Sequence, residues 1–155
     1  WTVSLNIAET WMSTTSSADG GTLAAAVLGG RIHVSTDGGA TWTARENFRN
    51  WWSITSSQSG NEMAAVAGSG QIYISADSGT SWKPRETNRG WHGIASTADG
   101  TKLFAVDFNG RIYTSARVTS PGGFLRGARS ASIELQYIGN GLFLPISHEG
   151  TIQFF

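Results

Sequence analysis

Ser35-Thr36-Asp37-Gly38-Gly39-Ala40-Thr41-Trp42 returns forty residues later as Ser75-Ala76-Asp77-Ser78-Gly79-Thr80-Ser81-Trp82, and this recurrence decides the fold. Both stretches obey one pattern, Ser-x-Asp-x-Gly-x-Thr/Ser-Trp. In such a loop the Asp carboxylate accepts backbone N–H groups across the turn, Gly supplies a positive φ, and the Trp ring packs between sheets.

Outward from these loops, the same period of 40 governs the chain. Gly30-Arg31-Ile32 recurs as Gly70-Gln71-Ile72, Gly110-Arg111-Ile112 and Gly150-Thr151-Ile152. Trp11, Trp51 and Trp91 share one register, as do Ser16, Ser56 and Ser96, then Ala25, Ala65 and Ala105, then Arg49, Arg89 and Arg129. A fixed period of this length marks one supersecondary unit stacked on itself. Within the second unit, residues 51–55 read as a first strand, 62–67 as a second and 71–74 as a third, and a fourth begins at Trp82. Turn residues at 58–61 and 68–70 separate them, and the Asp-bearing loop precedes the fourth. Four short strands per 40 residues predict an all-β chain, a β-propeller of four-stranded blades.

The loop pattern closely resembles the Asp-box repeat of sialidases, xyloglucanases and photosystem assembly propellers. Two copies at the blade spacing make that likeness specific for fold, and it implies an Asp-box propeller. The third copy departs from it, because Ser115-Ala116-Arg117 has Arg in the place of Asp, and the sequence reaches Phe155 before a fourth copy. Trp1-Thr2-Val3-Ser4-Leu5-Asn6 resembles Trp42-Thr43-Ala44-Arg45-Glu46-Asn47, the fourth strand of a blade. The expected layout is therefore a single propeller domain over 1–155. Residues 1–10 act as the closing strand of the last blade, 11–50, 51–90 and 91–130 are full blades, and 131–155 is a three-stranded last blade. Closure through the N-terminal strand removes two unpaired edges. A four-bladed monomer satisfies it, and so does a homodimer in which two chains exchange terminal strands into a ring of about eight blades. Asp-box propellers usually have six or more blades, which leaves a fragment of a larger protein as a further alternative.

Composition narrows the function classes. A domain of 155 residues can bury about 68–70% of its unfolded surface. No run approaches the roughly 18 apolar residues of a membrane helix. The absence of Cys removes disulfides and thiolate metal sites, and it suits secreted and cytosolic proteins alike. A secreted or cell-surface location is the expectation carried forward. His33, His92 and His148 fall at different points of the repeat without ligand spacing, so neither metal nor cofactor is expected. Gly20-Gly21 and Gly38-Gly39 join strands to strands and are not phosphate loops. Zero net charge and two lysines give no nucleic-acid footprint.

In a propeller the Asp loops lie on one face, and the loops joining second to third strand and fourth to next first strand lie on the other. On that basis Asp37 and Asp77 hold turns, and the charges segregate. Arg31, Arg45, Arg49, Arg85, Arg89, Arg111, Arg126 and Arg129 map to the face away from the Asp loops, against Glu9, Glu46, Glu86, Asp107 and Glu149. That face is net positive by three. Guanidinium groups bind carboxylate or phosphate bidentately and stack on aromatics. The plain alternative is that Arg45/Glu46 and Arg85/Glu86 are solvated loop ion pairs.

Trp11, Trp51 and Trp91, repeated once per blade, read as packing between blades. Trp52 and His92 share a position that varies between blades and sits one residue out of phase, which suits a pocket. The second-to-third-strand loops vary as well, and they carry Asp107, Phe108, His148 and Glu149. Arg31, Arg49, Arg89, Arg111, Arg129, Trp52, His92, Asp107, His148 and Glu149 are the candidate ligand-binding residues. The reading that follows is a non-catalytic, lectin-like module with a preference for acidic carbohydrate. One alternative is a protein assembly or scaffold propeller that takes an acidic protein surface. Another is a fragment of an Asp-box glycosidase. The sialidase likeness does not reach the chemistry, since Tyr73, Tyr113 and Tyr137 are poorly placed for a nucleophile and the N-terminal Arg-Ile-Pro signature is absent. Asp107 and Glu149, on neighbouring loops, are the one conceivable pair of glycosidase carboxyls.

Overall fold

Alternation of apolar and small polar residues gives strands, and the computed structural model contains no helix among its described residues. It describes residues 1–115 with their side chains, and beyond them the backbone of the strands at 125–127, 132–139, 142–149 and 152–154. The backbone falls into two compact units, Trp1–Ser120 and Pro121–Phe155.

The first unit holds β1 (Trp11–Ser16), β2 (Leu23–Ser35), β3 (Thr43–Ser56), β4 (Met63–Ser75), β5 (Lys83–Ser96), β6 (Leu103–Asp107) and β7 (Ile112–Thr114). They pair in chain order as one antiparallel succession of seven, open at β1 and β7. Several expected strands run on into one another. β3 begins as the fourth strand of the first repeat, where Thr43, Ala44 and Arg45 face Val34, His33 and Ile32. It ends as the first strand of the second repeat, with Trp51 facing Ala67 and Ser56 facing Met63. β5 repeats this arrangement one unit later. β2 pairs with β1 through Leu23–Val27 and with β3 from Leu28 on, and Gly29 at φ 71° follows the changeover. In the third repeat the corresponding segments are separate strands, β6 and β7, paired to each other from Phe104↔Thr114 to Val106↔Ile112.

Because side chains alternate across a strand, each repeat turns one apolar set toward the repeat before it and the other toward the repeat after it. One core cluster joins Ala24, Ala26, Ile32 and Val34 of the first repeat to Trp51, Ile54, Met63 and Tyr73 of the second. The next joins Val66 and Ile72 to Trp91 and Ala105. Trp51 and Trp91 are fully buried, as their repetition implied. The recurring serines are explained by a hydroxyl ladder between the first strands of successive repeats. Thr15 Oγ1 and Ser56 Oγ lie 2.9 Å apart, and Thr55 Oγ1 and Ser96 Oγ 3.0 Å. Ser56 also donates to the Ser16 carbonyl at 3.0 Å, and Ser96 to the Ser56 carbonyl at 2.9 Å.

The two Ser-x-Asp-x-Gly loops are built alike. Asp37 Oδ1 accepts from Ser35 Oγ at 2.8 Å and from the Thr41 N–H at 2.9 Å, and its Oδ2 accepts from Thr41 Oγ1 at 2.6 Å. Asp77 makes the same bonds to Ser75 and to the Ser81 N–H and hydroxyl. Trp82 Nε1 donates to the Gly79 carbonyl at 3.0 Å. Gly79 has φ 78°, and a Cβ there would stand 2.8 Å from Val34 Cγ2, so only glycine fits both the turn and the packing of one repeat on the next.

The described residues do not show a closed ring. Residues 1–10 form no strand. Ser4 instead donates to the Gly39 carbonyl at 2.6 Å and accepts from Trp42 Nε1 at 3.0 Å, so its hydroxyl serves the first Asp loop and Trp1 stays exposed. In the second unit, β8 (Leu125–Gly127), β9 (Ser132–Gly139), β10 (Leu142–Glu149) and β11 (Ile152–Phe154) form two antiparallel pairs, β9 with β10 and β8 with β11. β9, β10 and β11 fall within 131–155. β8, expected as the fourth strand of the third repeat, has β11 as its ladder partner. Arg117 supplies no carboxylate of the kind that ties the loop before the fourth strand in the first two repeats.

Candidate functional site

At the end of the first unit away from the Asp loops, β3 and β5 each leave the regular ladder. Arg45 faces Ile32 and Arg49 faces Gly30, so three residues of β3, 46–48, oppose one of β2, Arg31. Arg85 and Arg89 stand in the same relation to Ile72 and Gly70. The surplus residues bulge outward through Glu46 and Glu86, at φ 60° and 61°, a left-handed geometry uncommon for a residue with a Cβ. Each bulge is latched by the repeated tryptophan. Trp51 Nε1 donates to the Asn47 carbonyl and Trp91 Nε1 to the Thr87 carbonyl, both at 3.3 Å.

This construction lays each arginine on aromatic rings. The Arg49 guanidinium carbon lies 4.7 Å from the Tyr73 ring centroid and 6.0 Å from that of Trp51. For Arg89 the distances are 5.0 Å to Tyr113 and 5.9 Å to Trp91. Stacking of this kind holds the planar group without consuming its donors. The Nε atoms of Arg45, Arg49 and Arg89 are buried and make no hydrogen bond among the described residues. Among the described residues the ion pair formed is Arg49 with Glu46, at 3.9 Å, so the neighbour pairs Arg45/Glu46 and Arg85/Glu86 are not salt bridges. Arg31 stacks at 5.0 Å on Phe48, which rides the first bulge and is 69% exposed.

Beside these arginines, Trp52, His92 and Phe108 converge. Ring centroids are 5.1 Å apart for Trp52 and His92, 5.7 Å for Trp52 and Phe108, and 4.5 Å for His92 and Phe108. The cluster rests on two glycines that face each other across the ladder, Gly68 and Gly90. A Cβ on Gly68 would stand 2.2 Å from Trp52 Nε1, and one on Gly90 3.4 Å from Phe108. Phe108 is 62% exposed and His92 is exposed as well, so the cluster opens to solvent.

Asp107 belongs to the scaffold of this end. It is buried, its carboxylate accepts from the Arg111 N–H at 3.1 Å and from Tyr113 Oη at 3.0 Å, and it thereby fixes the tyrosine on which Arg89 lies. Burial is the largest single influence on its pKa and raises it. The hydrogen bonds from Arg111 and Tyr113, with those of lesser weight, outweigh burial and leave the group below the usual carboxylate range. Arg111 is exposed, and the side chains of Arg129, His148 and Glu149 lie outside the described residues. Phe48, Tyr73 and Tyr113 are the parts of the site that sequence reasoning missed. Their signal was the constant separation of Arg49 from Tyr73 and Arg89 from Tyr113 within the repeat.

The opposite end is built of committed groups. A hollow of about 450 Å³ there is lined by Ala18, Asp19, Gln58, Ser59, Ala98 and Asp99. Asp19 accepts from Ser17 and the Gly21 N–H, and Asp99 from Thr97 and Thr101, so both carboxylates are spent on their own turns. Among the described residues, no three His, Cys, Asp or Glu side chains are grouped as a metal site.

An open succession of antiparallel, repeat-built strands with its cores between repeats defines the class as β-propeller. Solved structures bear this out. The chain superimposes on YCF48 from Cyanidioschyzon merolae with a TM-score of 0.60, at 18% identity over 72% of this chain and 35% of that one. It matches a structure of YCF48 bound to D1 peptide with a TM-score of 0.63, at 17% identity over 92% of this chain and 56% of the other. The Niastella koreensis GH74 enzyme matches with a TM-score of 0.54, at 23% identity over 69% of this chain and 16% of the enzyme. This chain thus spans between about a third and just over half of the YCF48 chains it resembles. No protein-family model and no curated protein sequence matches it.

Proposed function

We propose that the chain is a non-catalytic binding propeller whose arginine and aromatic end takes an acidic, partly apolar segment of a protein partner. The observation that carries this reading is the pair of ring-stacked arginines, Arg49 and Arg89, beside a cluster in which His92 and Phe108 are open to solvent. Carboxylates bind guanidinium groups that stacking has oriented, and apolar side chains meet the edges of Trp52, His92 and Phe108. The likeness to a propeller solved with a bound peptide supports a polypeptide ligand. Glycosidase chemistry gains no support from Asp107, whose carboxylate is engaged within its own turn.

An acidic carbohydrate is the second reading, favoured by the same arginines. Stacking on a sugar needs a free ring face, and here Trp52 lies against Gly68 on one side and packs with His92 and Phe108. That packing suits an apolar side chain better than a flat sugar. The test is a binding panel of immobilised peptides that combine Asp or Glu with Leu or Phe, matched peptides with Lys in the acidic positions, and sulfated and sialylated oligosaccharides. Selective capture of the acidic-apolar peptides is expected. Capture of the oligosaccharides alone would transfer the site to the second reading, and indifference to charge would refute both.

A further inference from the structure

Each repeat buries two apolar faces, one on the repeat before it and one on the repeat after it. On the forward side, Ala24, Ala26 and Ile32 are 1%, 0% and 0% exposed, and Ala64, Val66 and Ile72 are 1%, 0% and 6% exposed. The same positions of the third repeat are Phe104, Val106 and Ile112, and these are 42%, 38% and 76% exposed. On the backward side the odd member is the first repeat. Trp51 and Trp91 are 0% exposed, whereas Trp11 is 38% exposed. The first unit therefore presents both halves of the interface that it forms twice internally, the receiving half at β6 and β7 and the inserting half at β1.

We propose that the receiving face at Phe104, Val106 and Ile112 docks the first repeat of a second copy of this chain, head to tail, with the second copy's Trp11 in the place that Trp51 and Trp91 occupy within a chain. The contact continues an interface already formed twice, between the first and second repeats and between the second and third. The inserted repeat needs a tryptophan at the aligned position, and the first repeat has one. The position of Ile54 and Ile94 is Thr14 in the first repeat, so the tryptophan is the group that the inserted repeat shares with the internal interfaces.

The hydroxyl ladder sets the strength of the contact. In the internal interfaces Ser13 Oγ accepts from the Ile54 N–H, Ser53 Oγ accepts from the Ile94 N–H, and Thr15 and Thr55 bond the next repeat's serine. The third repeat has Gly93 and Ala95 at these positions, so those hydroxyl bonds cannot form. What remains is the serine-to-carbonyl bond, from the second copy's Ser16 to Ser96, and larger apolar groups, since Phe104 stands where Ala24 and Ala64 stand. The pairing is accordingly reversible and concentration-dependent, unlike the internal contacts.

The test is light scattering of the full chain across the micromolar range. The expected result is a rise from one chain mass to two. Ile112→Glu alters a side chain that is exposed in the single chain, and it is expected to weaken pairing roughly 30-fold or more. Trp11→Ala is expected to do the same from the other side. In a head-to-tail pair, mixing the two variants rebuilds one unaltered contact of the two, so the mixture pairs more tightly than either variant alone. Should Trp11→Ala lose its near-ultraviolet circular dichroism, Ile112→Glu and Phe104→Lys carry the test by themselves. A single-chain mass at every concentration, pairing indifferent to Ile112→Glu and Phe104→Lys, or a mixture of two folded variants no tighter than its components would each overturn the proposal.

Discussion

The two ends of the first unit use polar groups in opposite ways. At the Asp-loop end the carboxylates are consumed: Asp37, Asp77, Asp19 and Asp99 each accept from hydroxyl and N–H groups of their own loop, and Glu62 from the Ser57 and Ser59 hydroxyls. At the arginine end, guanidinium groups are pinned on rings, their buried Nε atoms make no hydrogen bond among the described residues, and His92 and Phe108 open to solvent beside a half-buried Trp52. Repetition at Trp51 and Trp91 and in the Asp loops goes with groups that hold the fold, whereas departure from repetition, as at Trp52, His92 and Phe108, goes with the rings on which the proposed function rests.

Mutations separate the ends. The largest effect is expected for Trp51→Ala, which empties the core between the first two repeats and unlatches the bulge under Arg49. A loss of about 3–5 kcal/mol in denaturant unfolding is expected, with peptide capture lost as well. Gly79→Ala comes next and confines the damage to the Asp-loop end. It strains a residue at φ 78° and drives a Cβ against Val34, so about 1–3 kcal/mol of stability is expected to go while capture by the folded fraction persists. Gly68→Ala inverts that outcome. The Cβ displaces the half-buried Trp52 ring and no positive φ is involved, so about 1 kcal/mol of stability is expected to go, while capture falls roughly tenfold.

Acid titration gives the smallest effect. Hydrogen bonds from the Thr41 side chain, then from the Thr41 N–H and Ser35, hold the Asp37 carboxyl at about 2 against an ordinary 3.8. Those from Thr97 and Thr101 do the same for Asp99. With folded values below unfolded ones, the stabilisation is complete above 3.8 and disappears as pH falls through about 2. Asp37→Asn should flatten the loss of stability across that window, as followed by circular dichroism.

Much of this was legible in the sequence because a propeller repeat is local. The 40-residue period, the Ser-x-Asp-x-Gly loops and the buried Trp51 and Trp91 follow from spacing and side-chain chemistry within one unit. The pairing of Trp52 with His92 was legible because both break the repeat at one position. The bulges at Glu46 and Glu86 were not, since a left-handed glutamate leaves no mark in composition. Nor was the stacking of Arg49 on Tyr73, which spans two strands. The path of residues 1–10 escaped as well, because a likeness to a fourth strand says nothing of the competing partners that Ser4 finds at Gly39 and Trp42.

The most direct measurement is a binding titration of an acidic-apolar peptide captured in the panel, with the intact chain and with the Arg49→Ala/Arg89→Ala variant, at rising salt. The intact chain should bind with an affinity that falls as salt is added, and the variant should bind at least about tenfold more weakly with a flattened salt dependence. Equal affinity and equal salt dependence for the two proteins would contradict the assignment of function to the arginine end.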